Sequence, residues 1–293
     1  MTTHLPTKNL GSLRNRLLSP LQEELAPVEQ VVNRAVVLPP LNPLGPTPVV
    51  VADLASVDEA WMSAVNAGVP SIIVVDNVLS PEALEAAYRA CMLSTIWFDS
   101  TKPNDYVGAY LQWGLMDPNI LRLAKELREG MPQALGPHRL SSLWSYKYGS
   151  GPSTSEQDGI PVHADFAAVN MNLWLTPDEA NLDPEKGGLI IFHRRPEAHV
   201  TFEKFNCPTN DEVCHERVNA FVRDSPNTTV PYRANRMVIF DSSLLHKTDD
   251  YRFKGGYKNR RINLTLLWGM GTWVKRDEGQ HRGGASSREV RYT

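Results

Sequence analysis

Two histidines and one aspartate offer the most specific chemistry in the sequence. His163 and Asp165 are two residues apart, and side chains two apart on a β-strand point to the same face. An imidazole and a carboxylate would then project into one space, and His246 offers a third ligand from a distant segment. Two histidines and one carboxylate on one face of an octahedral metal ion leave three positions open. These residues therefore predict a metal site that can also accept small ligands.

The surroundings of the three residues strengthen this prediction. A lone His-x-Asp is more often a surface turn than a ligand pair, so its context decides. His246 follows residues 236–241, which have the pattern of a buried strand ending in a turn, and residues 260–268 form a further strand pattern that starts with Arg260 and Arg261. The order is a ligand pair, a distant histidine and then a cation at the start of a strand.

With these residues in this order, the stretch from about residue 69 to 269 resembles the superfamily of 2-oxoglutarate- and Fe(II)-dependent oxygenases. The segments AVNMNLWLTPDEANLDPEKGGLIIF and YKNRRINLTLLWG are similar to those of a bacterial branch of this superfamily. This similarity does not indicate a substrate. The resemblance implies an α+β, β-rich fold, a double-stranded β-helix (jelly roll, cupin-like) flanked by N-terminal helices. It also implies that His163, Asp165 and His246 hold Fe(II). Arg261 would hold the far carboxylate of 2-oxoglutarate, beside Asn263 where the family usually has serine; asparagine can still donate a hydrogen bond.

Alternation along the strands predicts which side chains enter the pocket. Arg261, Asn263 and Thr265 share a polar face, and the apolar face should lie under helices. Arginine suits a carboxylate because its planar fork can donate two parallel hydrogen bonds. The alternative is that Arg260 and Arg261 are edge-strand charges that prevent aggregation.

Two further strands should contribute contacts to 2-oxoglutarate. Residues 170–176 alternate cleanly, and their polar face places Asn172 and Trp174 near the cosubstrate. On residues 143–148, the resemblance implies one polar contact, from Tyr146 or Lys147. His193, His199 and His215 are interpreted as surface or hydrogen-bonded histidines, because neither their order nor their context suits a ligand.

The chain has 293 residues, enough for two small domains or one larger β-rich domain with helices. A net charge of −3 gives no electrostatic reason to expect nucleic acid or an anionic membrane as partner. The three cysteines (Cys91, Cys207 and Cys214) cannot all pair and match no zinc spacing, which favours a reducing, cytoplasmic compartment. The N-terminus lacks a signal-peptide pattern, and no run approaches the roughly 18 apolar residues of a membrane span.

Composition divides the chain into three parts. Residues 1–50 are predicted to be an extended or helical arm that could contact a second copy in a homodimer. Residues 51–274 form one domain with its jelly-roll core at about 140–270, and residues 275–293 are a polar tail.

Helices are predicted at 57–68, at 81–94 after the cap Ser80, and at 118–131, where Pro132 should stop the last one. The aromatic segment 97–114 either lines a substrate entrance or belongs to the core, and the long insertion 201–229 is a candidate lid.

The resemblance implies an enzyme that uses Fe(II), 2-oxoglutarate and O2. It would hydroxylate an unactivated C–H bond of a small molecule of amino-acid or natural-product type and release succinate and CO2. Asp165 argues against halogenation, because the halogenases of the family replace this carboxylate with a small residue. Desaturation and ring closure stay open. The alternatives are the same chemistry on a protein side chain, and a cupin-like metal-binding protein without oxygen chemistry.

Overall fold

The structure is a computed structural model that describes residues 44–97, 99, 106–149, 151–152, 159–197, 201–208 and 211–271. Most of the predicted N-terminal arm and the whole predicted C-terminal tail lie outside these residues. The division into an arm, one domain and a tail therefore stays a prediction.

Five α-helices occur in the described residues: α1 Leu54–Ala67, α2 Pro81–Leu93, α3 Pro118–Gly130, α4 Pro132–Leu135 and α5 Glu212–Val222. Aspartate and serine caps fix the starts of the first three, because a side-chain oxygen of Asp53, Ser80 and Asp117 accepts from the free backbone N–H groups of each first turn. Pro132 was expected to end the preceding helix, and in the structure it also begins a new one. Helix α3 ends before Pro132, but proline suits a first helical position, so Pro132 also begins the short helix α4.

Eleven strands are described: β1 Ile72–Val75, β2 Tyr106–Tyr110, β3 Leu140–Tyr148, β4 Gly151–Pro152, β5 Val169–Trp174, β6 Leu189–Phe192, β7 Asn227–Val230, β8 Met237–Asp241, β9 His246–Thr248, β10 Arg252–Phe253 and β11 Ile262–Trp268. Six form a large antiparallel sheet in the order β1-β8-β5-β11-β3-β2. Three form a small antiparallel sheet in the order β7-β6-β9, and β10 pairs with β4.

The chain moves repeatedly between the large and the small sheet. His163 pairs with His246 in an isolated antiparallel bridge, so the segment before β5 lies along the free edge of β9. After β3 in the large sheet, the chain passes through the His163 segment beside β9 and returns to the large sheet as β5. It then forms β6 and β7 in the small sheet and β8 in the large sheet. Finally, β9 lies in the small sheet and β11 in the large sheet.

Three apolar clusters hold these layers together. One joins the helices α1 to α4 to one face of the large sheet, through residues such as Trp61, Leu127 and Leu264. The second lies on the other face, where side chains of both sheets meet. The third packs α5 against the small sheet. Alternating side chains therefore leave one face of the large sheet to form an internal site.

Two segments contain regular structure that the sequence analysis did not assign. The aromatic segment 97–114 contains a strand, β2, with Trp97 buried in the core and Tyr106 pointing to the inner face. The insertion 201–229 contains the helix α5 and most of β7. Within the described residues, no helix has the length and apolar character needed to cross a membrane.

Candidate metal centre and its cavity

The structure brings His163, Asp165 and His246 together. One potential ligand atom from each lies within 4.8 Å of the others. Nε2 of His163 is 4.0 Å from Oδ1 of Asp165, and Nε2 of His246 is 3.5 Å from Oδ2 of the same carboxylate. The two histidines exchange backbone hydrogen bonds across the bridge between their strands, at 3.0 and 2.8 Å, which fixes their separation.

Both imidazoles are oriented by backbone carbonyl groups two residues earlier. Nδ1 of His163 lies 2.8 Å from the carbonyl oxygen of Pro161, and Nδ1 of His246 lies 3.0 Å from that of Leu244. A carbonyl can only accept, so each Nδ1 carries a proton, and each Nε2 is the nitrogen left to face a metal. Metal-binding histidines are commonly fixed in this way.

The charges at this centre also suit a cation. Burial, followed by the neighbouring His246, lowers the pKa of His163 to about 4, so this ring is neutral at pH 7. Burial alone would raise the pKa of Asp165. The contacts with His246 and His163 and the hydrogen bond from the Asn170 amide outweigh it and hold this pKa below its ordinary value.

A ladder of amide side chains supports the carboxylate. Asn170 Nδ2 donates to Oδ2 of Asp165 at 2.5 Å, and Asn172 Nδ2 donates to Oδ1 of Asn170 at 2.8 Å. Oδ1 of Asn172 then accepts from Asn263 at 3.2 Å and from Thr265 at 3.0 Å. The predicted site residues on β5 and β11 are therefore connected to the candidate metal ligand Asp165 through one hydrogen-bonded row.

Arg261 lies at one end of the same cavity and is 1% exposed. Nε and Nη2 donate to the carbonyl oxygens of Gly187 and Gly188, at 2.7 and 3.2 Å, and the guanidinium carbon is 4.5 Å from the Tyr148 ring centre. Nη1 is buried and has no hydrogen-bond partner among the described residues. A buried guanidinium without a carboxylate is costly, so this position fits an anionic ligand.

The cavity has a volume of about 440 Å³ and lies between the two sheets. Its described lining includes all the predicted site residues except Trp174. Trp174 is fully buried, its ring 5.4 Å from that of Tyr232 and 5.9 Å from the Arg261 guanidinium, so it packs behind the arginine instead of reaching the cavity.

Of the two candidates on β3, Tyr146 lines the cavity and Lys147 does not. Lys147 follows Tyr146 on an alternating strand, so it points to the helix side. There it is fully buried, with Nζ 4.0 Å above the Trp97 ring and donating to the Tyr257 hydroxyl. The expectation that Lys147 could reach 2-oxoglutarate is thus corrected by the strand register.

Sequence reasoning missed part of the cavity wall. His215, interpreted as a surface or hydrogen-bonded histidine, lines the cavity from α5, together with Phe202, Asn206 and Cys207 of the insertion. His193 is exposed, as expected, and His199 lies outside the described residues. Trp144 and Tyr148 also line the cavity, and their spacing from Tyr146 on an alternating strand could have identified them.

A disulfide joins Cys207 and Cys214, which differs from the expectation of a reducing compartment. It ties the segment that carries Asn206 to the first turn of α5, next to His215. Cys91 is a buried free thiol. The spacing of the cysteines alone could not show this pair, because it depends on the turn between a short 3-10 helix and α5.

No protein-family model matches this chain, and neither does any curated protein sequence. Solved structures do resemble it. The epimerase SnoN in complex with Fe3+, alpha-ketoglutarate and nogalamycin RO is 17% identical, with a TM-score of 0.48 over 80% of this chain and 94% of that chain. HygX from Streptomyces hygroscopicus, with nickel, 2-oxoglutarate and hygromycin B, is 14% identical, with a TM-score of 0.47 over 82% and 96% of the two chains.

EctD from S. alaskensis, with 2-oxoglutarate and 5-hydroxyectoine, is 15% identical, with a TM-score of 0.48 over 80% of this chain and 84% of that chain. All three of these structures contain 2-oxoglutarate, which one of them names as alpha-ketoglutarate. At such identities and TM-scores, what this chain binds must be judged from its own residues.

Proposed function

We propose that this chain is an Fe(II)- and 2-oxoglutarate-dependent dioxygenase that hydroxylates an unactivated C–H bond of a small molecule. The supporting observation is that one cavity holds two imidazoles, a carboxylate and a buried guanidinium without an acidic partner among the described residues. His163, Asp165 and His246 form the ligand set of a facial iron site, which leaves three positions open.

The path of the chain supports the same assignment. Strands from the large and small sheets alternate along the sequence from β3 to β11, with the cavity between them. This arrangement is compatible with a double-stranded β-helix, whose interior is the usual place for such a site.

When bound, Fe(II), 2-oxoglutarate and O2 would supply the oxidation of a C–H bond to an alcohol, with the cosubstrate leaving as succinate and CO2. The chain itself provides position. Backbone carbonyls bind Nδ1 of His163 and of His246, so that Nε2 of each ring would bind the metal, and Asn170 holds the Asp165 carboxylate.

Arg261 would bind the far carboxylate of 2-oxoglutarate through the part of its guanidinium that the glycine carbonyls leave open. Buried aromatic rings around it exclude water, which strengthens a charged hydrogen bond. Tyr146, Asn172 and Asn263 would line the space between this anchor and the metal.

The experiment is to add Fe(II) and 2-oxoglutarate to the protein without oxygen and record the visible spectrum. We expect a weak charge-transfer band, and succinate when air is admitted. The variant His246→Ala should lose both, whereas His193→Ala, which removes an exposed histidine bonded to Thr228, should keep both. Absence of the band and of succinate in the unmodified protein would favour the alternative of a metal-binding protein without oxygen chemistry.

The remaining predictions concern partner and location. A mass increase on a cellular protein would favour the same chemistry on a protein side chain. The homodimer and the cytoplasmic location also stay predictions. Size-exclusion chromatography tests the homodimer. The cytoplasmic location is tested by counting the free thiols of this protein directly after cell lysis, because a reducing compartment would leave Cys207 and Cys214 as free thiols.

A further inference from the structure

Two aromatic pairs from separate segments line the part of the cavity near the metal residues. Trp144 and Tyr146 lie on the inner face of β3 with ring centres 6.0 Å apart. Phe166, next to the ligand Asp165, and Phe202, from the insertion, have ring centres 6.3 Å apart. One cavity therefore carries flat apolar surfaces supplied by two different parts of the chain.

A glycine on the neighbouring strand provides space for the Tyr146 ring of the first pair. Gly108 of β2 pairs with Tyr146, and a Cβ on Gly108 would lie 3.1 Å from the Tyr146 ring and 3.0 Å from the Tyr110 ring. The absence of a side chain at Gly108 gives these rings their space. The hydroxyl groups of Tyr110 and Tyr146 then lie 3.3 Å apart, which holds both rings in place.

The strand register separates Trp144 from the proposed cosubstrate anchor. Trp144 pairs with Thr265, which is four residues along the chain from Arg261, or about 13 Å at roughly 3.3 Å per residue. The five-carbon chain of 2-oxoglutarate is shorter than this separation. Thr265 bonds Asn172 in the row that leads to Asp165, so Trp144 lies on the metal side of the cavity, where a substrate would approach.

The charges in the cavity restrict what could bind there. Among its described lining residues, the carboxylate is Asp165 and the permanent cation is Arg261, and both have assigned roles. The described lining thus offers no further carboxylate, lysine or arginine to pair with a charged substrate. Asn206 and His215 provide neutral or weakly basic hydrogen-bonding groups instead.

We propose that the substrate is an uncharged compound with a flat, unsaturated ring system, held by stacking on Trp144 and on the Phe166–Phe202 pair. Aromatic side chains prefer ring partners in offset or edge-on contact, and an uncharged ring leaves no ion to be paired in a buried space. This inference rests on the proposed oxygenase function and narrows its substrate class: free amino acids carry two charges, for which the described lining offers no unassigned partner.

The test uses the full chain with Fe(II) and 2-oxoglutarate under nitrogen, and the charge-transfer band is recorded first. Three probes are then titrated by calorimetry: 2-naphthol as an uncharged ring compound, L-leucine as a zwitterion, and choline as a cation. We expect 2-naphthol to bind at least tenfold more tightly than the other two. The variant Trp144→Ala should weaken its binding about tenfold, since one stacked ring contributes roughly that factor.

Trp113→Ala is the matched control, because Trp113 is 39% exposed and does not belong to the described cavity lining. It should leave the affinity for 2-naphthol unchanged. Trp144→Phe keeps a ring and should retain binding within about threefold, which covers the case in which the alanine variant does not fold. Tighter binding of L-leucine or choline, or equal effects of Trp113→Ala and Trp144→Ala, would overturn the inference.

The two proposals fail in different ways. A charge-transfer band without binding of 2-naphthol refutes the substrate class and leaves the oxygenase function intact. If no band forms, the oxygenase proposal fails. The same titration on the metal-free protein then still supports or overturns a ring-binding site, because the aromatic residues belong to the chain itself.

Discussion

Replacing Arg261 by leucine should separate its two roles, anchoring 2-oxoglutarate and holding a turn. The guanidinium donates to the carbonyl oxygens of Gly187 and Gly188, and Nη1 is buried without a partner among the described residues. Leucine is apolar, so both carbonyls and any bound carboxylate would lose their donors. Binding of 2-oxoglutarate and protein stability should therefore both decrease, by amounts that the geometry allows us to estimate.

For binding, hydrogen bonds that involve a charged group contribute about 1.5–3 kcal/mol each. Because Nε and part of Nη2 already serve the glycine carbonyls, we count one to two such bonds to the carboxylate. The expected loss is about 1.5–6 kcal/mol, which corresponds to an increase of roughly 10- to 25,000-fold in the dissociation constant of 2-oxoglutarate. For folding, two buried carbonyls without donors cost about 1–3 kcal/mol each.

The assay is anaerobic titration of 2-oxoglutarate into the Fe(II)-loaded protein, read at the charge-transfer band, with urea unfolding measured in parallel. Arg260→Leu is a close control. Arg260 is also buried, but its guanidinium carbon is 6.0 Å from the Tyr257 ring and it does not belong to the described cavity lining. An unchanged 2-oxoglutarate affinity in Arg261→Leu, or an equal loss in Arg260→Leu, would show that the anchor has been assigned wrongly.

Three further variants test the supports of the site. Asn170→Ala removes the donor to Asp165 and should weaken Fe(II) binding about tenfold by equilibrium dialysis, as loss of such outer contacts usually does; unchanged affinity would mean that the ladder does not orient the ligand. Cys214→Ser opens the disulfide and should lower the free energy of unfolding in urea by about 2.5 kcal/mol under oxidising conditions, with no difference in excess reductant. Gly188→Ala places a Cβ 1.8 Å from a backbone carbonyl oxygen and should reduce stability and 2-oxoglutarate affinity together, whereas Gly255→Ala, with open space around it, should change neither.

Much of the secondary structure could be predicted because local rules determine it. Ser80 and Pro81 mark the start of α2, and the alternating pattern of residues 170–176 corresponds to β5. The strand β2 was missed because its five residues include Gly108, and glycine lowers strand propensity. What selects that glycine is the space needed by the Tyr110 and Tyr146 rings, which is a contact between distant residues that no local pattern shows.

For the site, the sequence was enough to predict the three candidate metal residues, but not the other residues that line the cavity. His215 reaches the cavity because α5 packs on the small sheet and the disulfide holds its first turn, and both depend on tertiary structure. Trp174 shares the inner face of β5, as the alternation predicts. The ring nevertheless stays outside the described cavity lining, because Arg261 and Tyr232 lie close to it. Periodicity predicts a face, whereas neighbours determine which side chains on that face meet a ligand.

The hydrogen-bonded row of side chains that leads from Asn263 to Asp165 also depends on neighbouring residues. Asn170 and Asn172 are successive inward positions on β5, and Asn263 and Thr265 are successive inward positions on β11. The antiparallel register of the two strands places Asn172 directly opposite Thr265. A shift of β5 by one residue would turn Asn170 and Asn172 towards the helices and remove the donor from Asp165. The apolar side chains on the opposite face of β5 oppose such a shift, because Met171 and Leu173 would then leave the core and enter the cavity. The hydrophobic core under the helices therefore helps to fix Asp165, the candidate metal ligand, by holding the register of β5.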